Sequence, residues 1–178
     1  MGQADAFGSQ CNAIAATRLA KRWICTICRS IDEKVILVAF DGEFLHGIDE
    51  KGRLIIPAKY RDSLGHRYML CKGLEDSLFA YPMDAWAKLI DKLDDLNVFT
   101  RKNRDFKRRF FSGSTECEID KQGRTLISQP FRKHASLTKD VYFIGAGDHI
   151  ELWDKDAWET YSRDLDADYE ALAEEVFA

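Results

Sequence analysis

One stretch of this sequence occurs twice. GIDEKGRLIIPAKYR spans residues 47–61, and EIDKQGRTLISQPFR spans residues 118–132. The similarity continues beyond both stretches, as far as the triplet DAW at 84–86 and again at 156–158. Two copies of a unit of about fifty residues are typical of a fold in which each copy buries apolar surface of the other. Six pairs of residues are identical between the two stretches: Ile48 and Ile119, Asp49 and Asp120, Gly52 and Gly123, Arg53 and Arg124, Ile56 and Ile127, and Arg61 and Arg132.

The first copy predicts a hairpin followed by a short helix. Alternating residues predict a strand over 43–49, and Gly52 permits a tight turn into a returning strand over 53–57. We therefore expect the two strands to pair with each other across the turn. A proline at its start and a glycine at its end predict a short helix over 57–65.

Each copy is expected to end in an amphipathic helix. After two more strands, near 68–72 and 77–81, apolar residues at three- and four-residue spacing predict a helix over about 83–96. The second copy predicts the same order of elements and a final helix from Lys155 into the acidic tail. A further helix between the copies is predicted to stop near Gly113. The expected fold class is α+β and rich in strands, with a helix after each repeat.

Charge is distributed very unevenly along the chain. The formal net charge is −4, and residues 154–178 contain nine acidic and two basic residues, while residues 101–110 contain six basic residues and one acid. A locally positive surface is therefore compatible with the acidic total. No apolar run is long enough to span a membrane, and five cysteines without a framework spacing favour a reducing compartment. We expect a cytoplasmic protein with no membrane partner.

The repeated turn has the pattern Asp-x-x-Gly-Arg. Its aspartate can accept hydrogen bonds from backbone N–H groups further on, and its arginine brings a forked cation to the tip. Arginine suits guanine edges and lysine suits phosphates, so a DNA contact is one interpretation. The alternative is that Asp49 and Arg53 only form a cross-turn ion pair that shapes the turn. Recurrence of the whole pattern favours DNA contact, because drifted duplicates need keep only apolar periodicity to fold.

These motifs resemble one family of bacterial proteins. The first stretch, the segment FFSGSTECEIDKQGR at 110–124 and the paired DAW helices are similar to the MraZ family of transcriptional regulators, over about residues 40–178. The resemblance implies tandem SpoVT-AbrB-like domains with swapped hairpins, assembly into a homo-oligomeric ring, and nucleoid association. It also implies binding to short direct repeats of double-stranded DNA and repression of the protein's own operon, the division and cell-wall gene cluster.

The resemblance also assigns residues to DNA, with Arg53 as the strongest single candidate. Ser128 stands where the family usually has proline, which predicts a displaced start for the second short helix and makes the second copy the weaker candidate. The residues on the matching turns are Asp49, Lys51 and Arg53 of the first copy, Asp120, Lys121 and Arg124 of the second, and the turn-forming Gly52 and Gly123.

The expected organisation has four segments. The first is an N-terminal extension ahead of the family's usual start, for which a disordered arm or a non-native start is the simplest interpretation. A first AbrB-like repeat with its helix, a basic helical connector, and a second repeat with an acidic C-terminal helix follow. These segments span residues 1–38, 40–96, 97–112 and 113–178, respectively.

The two strongly charged segments each have two interpretations. In the connector, either the phenylalanines pack inward beneath a solvated basic face, or the basic residues track DNA phosphates beside the turns. The acidic tail is a solubilising helix face, unless Trp158, Tyr161 and Leu165 dock a neighbouring subunit. The candidate phosphate contacts are Arg101, Lys102, Arg104, Lys107, Arg108 and Arg109.

Catalytic and metal sites have little support. CTIC at 25–28 has the spacing of half a zinc or redox site, but no second pair of Cys or His residues at compatible spacing completes four ligands. Cys71 and Cys117 are interpreted as small buried hydrophobes. No nucleophile elbow, phosphate-binding loop or zinc-protease motif occurs. We expect no enzyme, metal, cofactor or small-molecule substrate; an interaction scaffold and an AbrB-type antitoxin are the alternatives to a DNA-binding regulator.

Overall fold

The computed structural model describes residues 40–177. The predictions made for residues 1–38, including the Cys25 and Cys28 pair, lie outside these residues. The eight strands of these residues are β1 (Glu43–Gly47), β2 (Arg53–Ile55), β3 (Arg67–Lys72), β4 (Ser77–Pro82), β5 (Ser114–Glu118), β6 (Arg124–Leu126), β7 (Asp140–Gly145) and β8 (Ile150–Asp154). The same residues form five helices, α1 (Ala58–Leu64), α2 (Met83–Asp94), α3 (Arg101–Ser112), α4 (Gln129–His134) and α5 (Lys155–Phe177).

The two repeats exchange strands. Six strands form one antiparallel sheet in the order β1-β7-β8-β4-β3-β5, and β2 and β6 form a separate two-stranded ribbon. The first strand of each repeat, β1 or β5, pairs with a strand of the other repeat, β7 or β3. The repeats also meet at the centre of the sheet, where β4 pairs with β8. The α+β fold with duplicated, swapped units is therefore confirmed.

The prediction that the first two strands pair with each other was wrong. The turn forms, but only Ile48 and Leu54 make a bridge between the chain before it and the chain after it. From there β1 continues into the six-stranded sheet and β2 into the ribbon. An isolated two-stranded hairpin is marginal in water, whereas pairing with the other repeat gives each strand a wider sheet or a covered face.

The main core lies between one face of the sheet and the ribbon with its short helices. Leu54 and Ile127 of the ribbon segments and Tyr60 of α1 pack there against sheet residues such as Leu70 and Phe143. Ribbon and sheet thus form two layers around one core.

The opposite face of the sheet carries the three longer helices. Because side chains alternate along a strand, β4 turns Leu78 toward the core and Tyr81 toward the other face. There the ring of Trp86 in α2 lies 6.1 Å from that of Tyr81 and stacks on Phe110 of α3 at 5.4 Å. Helix α5 packs on β7 and β8. The ribbon and the long helices are therefore on opposite sides of the sheet.

The expected displacement of the second short helix was wrong. Helix α4 begins at Gln129, the position that corresponds to Ala58 at the start of α1. Ser128 has φ −65° and ψ 154°, close to the φ −52° and ψ 137° of Pro57. Serine can adopt this extended conformation without help from a ring, and Pro130 lies in the first turn of α4, where a proline fits.

Candidate nucleic-acid interface

Turn 1, residues 49–53, is closed by hydrogen bonds to both oxygens of one carboxylate. Arg53 N donates to Asp49 Oδ1 at 2.8 Å, and Arg53 Nε donates to Asp49 Oδ2 at 2.7 Å. Asp49 N donates to Arg53 O, and Gly52 N donates to Asp49 O. Gly52 has φ +82°, a left-handed conformation that other residues rarely adopt. The carboxylate therefore holds both the turn and the direction of the arginine side chain.

Turn 2, residues 120–124, repeats this arrangement. Asp120 Oδ1 accepts from Arg124 N at 2.9 Å and from Gln122 N at 2.8 Å, and Asp120 Oδ2 accepts from Arg124 Nε at 3.1 Å. Gly123 has φ +77°. The backbone N–H of the arginine is the largest influence that lowers the carboxyl pKa of the aspartate in each turn. Both aspartates are therefore ionised at neutral pH.

Each turn is bonded to the other repeat. Ile56 N donates to Gly123 O at 2.9 Å, and Ile127 N donates to Gly52 O at 2.8 Å. These two hydrogen bonds join each glycine to the strand end of the opposite copy. The turns consequently form one rigid unit with the ribbon.

Two arginines whose role the sequence did not suggest lie against the turn glycines. The guanidinium of Arg61 contacts the Gly123 position, and that of Arg132 contacts the Gly52 position. Arg61 Nε also donates to Ile56 O at 2.8 Å, whereas Arg132 Nε is buried and has no hydrogen-bond partner in the described part of the chain. The sequence does show an arginine at this position in both repeats. It gave no indication that each arginine contacts the turn of the other repeat.

The outer face of the ribbon presents two arginines and two aliphatic side chains. In the antiparallel register Arg53 lies opposite Leu126, and Ile55 lies opposite Arg124. Ile55 and Leu126 are 42% and 59% exposed, whereas Leu54, between Arg53 and Ile55, is fully buried because its side chain points to the opposite face. In the sequence, the apolar residues after each turn are indistinguishable from core residues, so Ile55 and Leu126 were not predicted to be exposed. The structure thus places Arg53 and Arg124 on the same face of the ribbon, one at each end.

The arginines retain free hydrogen-bonding capacity. Each guanidinium has five N–H donors, and the turn aspartate engages only the one on Nε. The side chains of Arg53 and Arg124 are 39% and 32% exposed. Lys51 and Lys121 are exposed on the same turns and form no ion pair within residues 40–177. Cationic donors are therefore available at both ends of the ribbon.

The basic residues of the connector are not part of this surface. They lie on α3, on the opposite side of the six-stranded sheet from the ribbon. Arg101 and Arg108 form ion pairs with Asp105, and Lys107 forms one with Asp94. Arg104 donates to backbone carbonyls ahead of its own helix. The structure separates these six candidates from the two turns.

The described residues give little support to a metal site, a reactive thiol or a membrane-spanning helix. Between residues 40 and 177, no cluster of His, Cys, Asp or Glu could hold a metal ion. Cys71 is buried, and burial raises the pKa of its thiol to about 12, so it is not a nucleophile at neutral pH. Cys117 is half-buried and packs against the core. In the same part of the chain, no helix combines the length and the apolar character needed to cross a bilayer.

Comparison with known proteins agrees with the duplicated architecture. A family profile described as "MraZ protein, putative antitoxin-like" matches residues 39–109 and again residues 110–178. The protein named transcriptional regulator MraZ of Moorella thermoacetica is 49% identical over 138 residues, which cover 77% of this chain and 96% of that protein. Those of Heliobacterium modesticaldum and Acetivibrio thermocellus are 48% and 47% identical, with the same coverage. The chain therefore belongs to the MraZ family.

Proposed function

We propose that this protein is a non-enzymatic transcriptional regulator that binds double-stranded DNA through the outer face of the β2–β6 ribbon and its two turns. The observation that carries the proposal is the pair of arginines, each oriented by an aspartate, at the two ends of a rigid ribbon. The names of the relatives support a regulatory role.

The dimensions of the ribbon suit the major groove. A two-stranded ribbon fits this groove, where each base pair presents a distinct pattern of donors and acceptors. Arg53 and Arg124 are separated by two residues along the ribbon, or about 7 Å, so both can reach base edges from one groove. The free guanidinium N–H groups would donate to guanine O6 and N7, and Ile55 and Leu126 would contact thymine methyl groups.

Lysines and backbone groups would fix the position of the ribbon on the duplex. Lys51 and Lys121 extend from the turns beside the arginines, where phosphate oxygens would flank an inserted ribbon. Neutralising phosphates releases counterions, so binding should weaken as salt rises. In this arrangement the arginines supply the sequence preference and the lysines supply much of the affinity.

One ribbon of three residues per strand buries too little surface for tight binding. A homo-oligomeric ring would present several ribbons to several direct repeats, and linked contacts raise affinity without new chemistry. We place these repeats upstream of the protein's own operon, in the division and cell-wall gene cluster, where the protein would act as a repressor. It would then work in the cytoplasm, associated with the nucleoid.

The test is fluorescence anisotropy on the native upstream duplex and on a scrambled duplex, across salt concentrations. Arg53→Ala should weaken binding to the native repeats by roughly 5- to 150-fold, because one arginine contact to guanine contributes about 1–3 kcal/mol of discrimination. Lys51→Ala should weaken binding to both duplexes to a similar degree and reduce the salt dependence. Arg124→Ala shows whether the second repeat also reads bases.

The matched control is Lys88→Ala, which removes an exposed cation from α2 on the other side of the sheet. It should leave both affinities unchanged. Equal and weak binding of the folded wild-type protein to both duplexes would contradict the proposal. An interaction scaffold, with the aspartate–arginine pairs as struts of the turns, would then take its place.

A further inference from the structure

The β2–β6 ribbon has approximate twofold symmetry. Leu54 lies opposite Thr125 at the centre of its register, and the pair on either side joins an arginine to an aliphatic residue. The backbone hydrogen bonds that join each end of the ribbon to the opposite turn also match, at 2.9 Å and 2.8 Å. Rotation by half a turn about the centre therefore exchanges Arg53 with Arg124 and leaves the outer face nearly the same.

A symmetric surface is poorly matched to direct repeats. A protein surface with twofold symmetry corresponds to a palindromic site, and it would bind an asymmetric site equally well in either direction. Direct repeats all point the same way, so a feature must distinguish the two ends of the ribbon. The outer face offers little for this purpose, because its arginines are identical and Ile55 and Leu126 are isomers. The inference below rests on the proposed function, in which these repeats are the target.

The tips of the two turns carry opposite charges. The residue that follows the aspartate is Glu50 in turn 1 and Lys121 in turn 2. Both side chains are exposed, and neither belongs to an ion pair between residues 40 and 177. The next residue is Lys51 in turn 1 and the neutral Gln122 in turn 2. The half-turn rotation therefore places an acid where a cation was.

The short helices beside the turns differ in the opposite sense. Asp62 of α1 and Lys121 line a groove of about 380 Å³ beside turn 2. The equivalent of Asp62 in the second repeat is Lys133 of α4, which follows the Arg132 that contacts turn 1 at Gly52. Asp62 and Lys133 are both exposed. Turn 1 thus has an acidic tip and a basic flank, whereas turn 2 has a basic tip and an acidic flank.

We propose that these opposite charges set the direction in which the ribbon lies on each DNA repeat, and that Glu50 is the residue that determines it. In the favoured direction Lys121 contacts a backbone phosphate at one end of the site. Glu50 accepts a hydrogen bond from the N4 amino group of a cytosine at the other end. In the reversed direction Glu50 would face the phosphate, and like charges brought together at an interface repel.

The flanking charges distinguish the two directions at a second place. In the favoured direction Lys133 meets phosphates beside the base that Glu50 contacts, and Lys121 offsets the charge of Asp62 in the groove that they share. In the reversed direction the tip and the flank of each turn would both meet groups that suit the opposite sign. The two pairs of positions therefore favour the same direction.

The experiment compares two arrays of repeats by fluorescence anisotropy. One is the native array of direct repeats, and the other has every second repeat inverted at unchanged spacing. The wild type should bind the native array at least roughly tenfold more tightly, since one misplaced base contact costs about 5- to 150-fold. Glu50→Lys with Asp62→Lys makes both tips and both flanks basic, so the ratio of the two affinities should fall below about threefold.

The matched control adds the same charge elsewhere. Asp91→Lys with Asp164→Lys changes two exposed acids of α2 and α5, on the opposite side of the sheet from the ribbon. It should leave the ratio of the two affinities unchanged. Circular dichroism and thermal melting check that each variant remains folded.

A second variant exchanges the charges instead of making them alike. Glu50→Lys, Lys121→Glu, Asp62→Lys and Lys133→Asp in one chain should turn the ribbon round on a single repeat. The photocrosslinking residue p-benzoylphenylalanine in place of Gln122 shows the direction, because it reacts with the end of the repeat that turn 2 occupies. In the exchanged variant the crosslink should move to the other end of the repeat.

Three results overturn the inference and leave DNA binding intact. They are equal wild-type affinity for the two arrays, a ratio that survives in Glu50→Lys with Asp62→Lys, and a crosslink that stays at the same end in the exchanged variant. Direction would then be set by the outer face, where Ile55 and Leu126 differ. Equal wild-type affinity for the native and scrambled duplexes is a different result, because it overturns the proposed function and this inference together.

Discussion

Turn 1 and turn 2 have the same backbone and different surfaces. In both, one aspartate accepts from the backbone and the Nε of the arginine four residues later. Yet turn 1 includes Glu50, so that two acids balance two cations, whereas turn 2 has Gln122 two residues into the turn and a formal charge of +1. The residues that make the hydrogen bonds of the turn are the ones that recur. The remaining positions are free to differ, which lets two turns of one shape take different roles on a ligand.

The comparison extends to the buried side of the ribbon. Leu54 of the first repeat corresponds to Thr125 of the second, and both are almost fully buried. Thr125 finds a partner in the hydroxyl of Tyr68, at 3.0 Å. A polar residue is therefore tolerated in one copy only because the other copy supplies its hydrogen bond.

The largest expected difference between the turns concerns their glycines. Gly52→Ala and Gly123→Ala should each lower the free energy of unfolding by ~1–3 kcal/mol, because alanine is strained at positive φ. Gly52→Ala should cost about 1 kcal/mol more, since its new Cβ would lie 2.9 Å from the carbonyl oxygen of Ile127. At Gly123 the crowding atoms belong to the end of the Arg61 side chain, which can move away. Urea denaturation measures both values.

Gly147→Ala is the matched control for strain without crowding. Gly147 has φ +85°, and a Cβ there would meet no atom within 4 Å. Gly147→Ala should lower the free energy of unfolding only by the cost of placing alanine at positive φ, with no added cost from crowding. If Gly123→Ala were the most destabilising of the three, the guanidinium of Arg61 would be fixed more firmly than its position suggests.

A smaller loss of stability is expected from removing the buried hydrogen bond between Tyr68 and Thr125. Tyr68→Phe should lower the free energy of unfolding by ~1–3 kcal/mol, because it leaves the hydroxyl of Thr125 buried without its partner. Joining it to Thr125→Val should recover most of the loss, since both polar groups are then gone. A double-mutant cycle by urea denaturation gives the coupling, and additive losses would argue that the hydrogen bond contributes nothing.

The smallest expected effect is the response of the turns to acid. The pKa values of Asp49 and Asp120 are lowered on folding, mainly by the backbone N–H of Arg53 and Arg124. Their contribution to stability is thus complete above the ordinary carboxyl pKa of about 4 and is lost as pH falls through the lowered folded-state values. Asp49→Asn should be less stable than the wild type at pH 7, and the difference should vanish in strong acid.

Replacing only the side chain of the arginine sharpens this test. In Arg53→Met the backbone N–H of residue 53 still donates to Asp49, so the carboxyl pKa should rise only part of the way to its ordinary value. Carbon-detected NMR titration measures both turns in one sample, with Asp120 as the internal reference. A complete return to the ordinary pKa would mean that the guanidinium, rather than the backbone, holds the turn.

The elements of this fold were predictable from the sequence, and the pairing of its strands was not. Residues 43–47, 53–55 and 83–94 fall within the predicted strands and helix, because alternation, turn glycines and helical spacing are local signals. The choice between pairing β2 with β1 or with β6 depends on what each partner buries across the whole chain. Local patterns are the same in both cases, so they did not predict the exchange between the repeats, which only the resemblance to the family implied.

The candidate site shows the same division. The residues of both turns were found because they are close in the sequence and recur. The contacts of Arg61 with Gly123 and of Arg132 with Gly52 join distant positions, and the exposure of Ile55 and Leu126 depends on which face the other repeat covers. Residues 101–109 were recognised as basic, but their charge alone gave no information about the side of the sheet on which they lie.

The exchange of first strands has a consequence for synthesis on the ribosome. Strand β1 emerges early, yet its partner β7 is made roughly a hundred residues later, a delay on the order of 5–20 s at the usual rates of translation. Until then the nascent chain exposes an unpaired strand edge, which other chains could bind. Folding of the amino-terminal half must therefore wait for the carboxyl-terminal half, and chaperones that shield strand edges should contact this protein mainly during that interval.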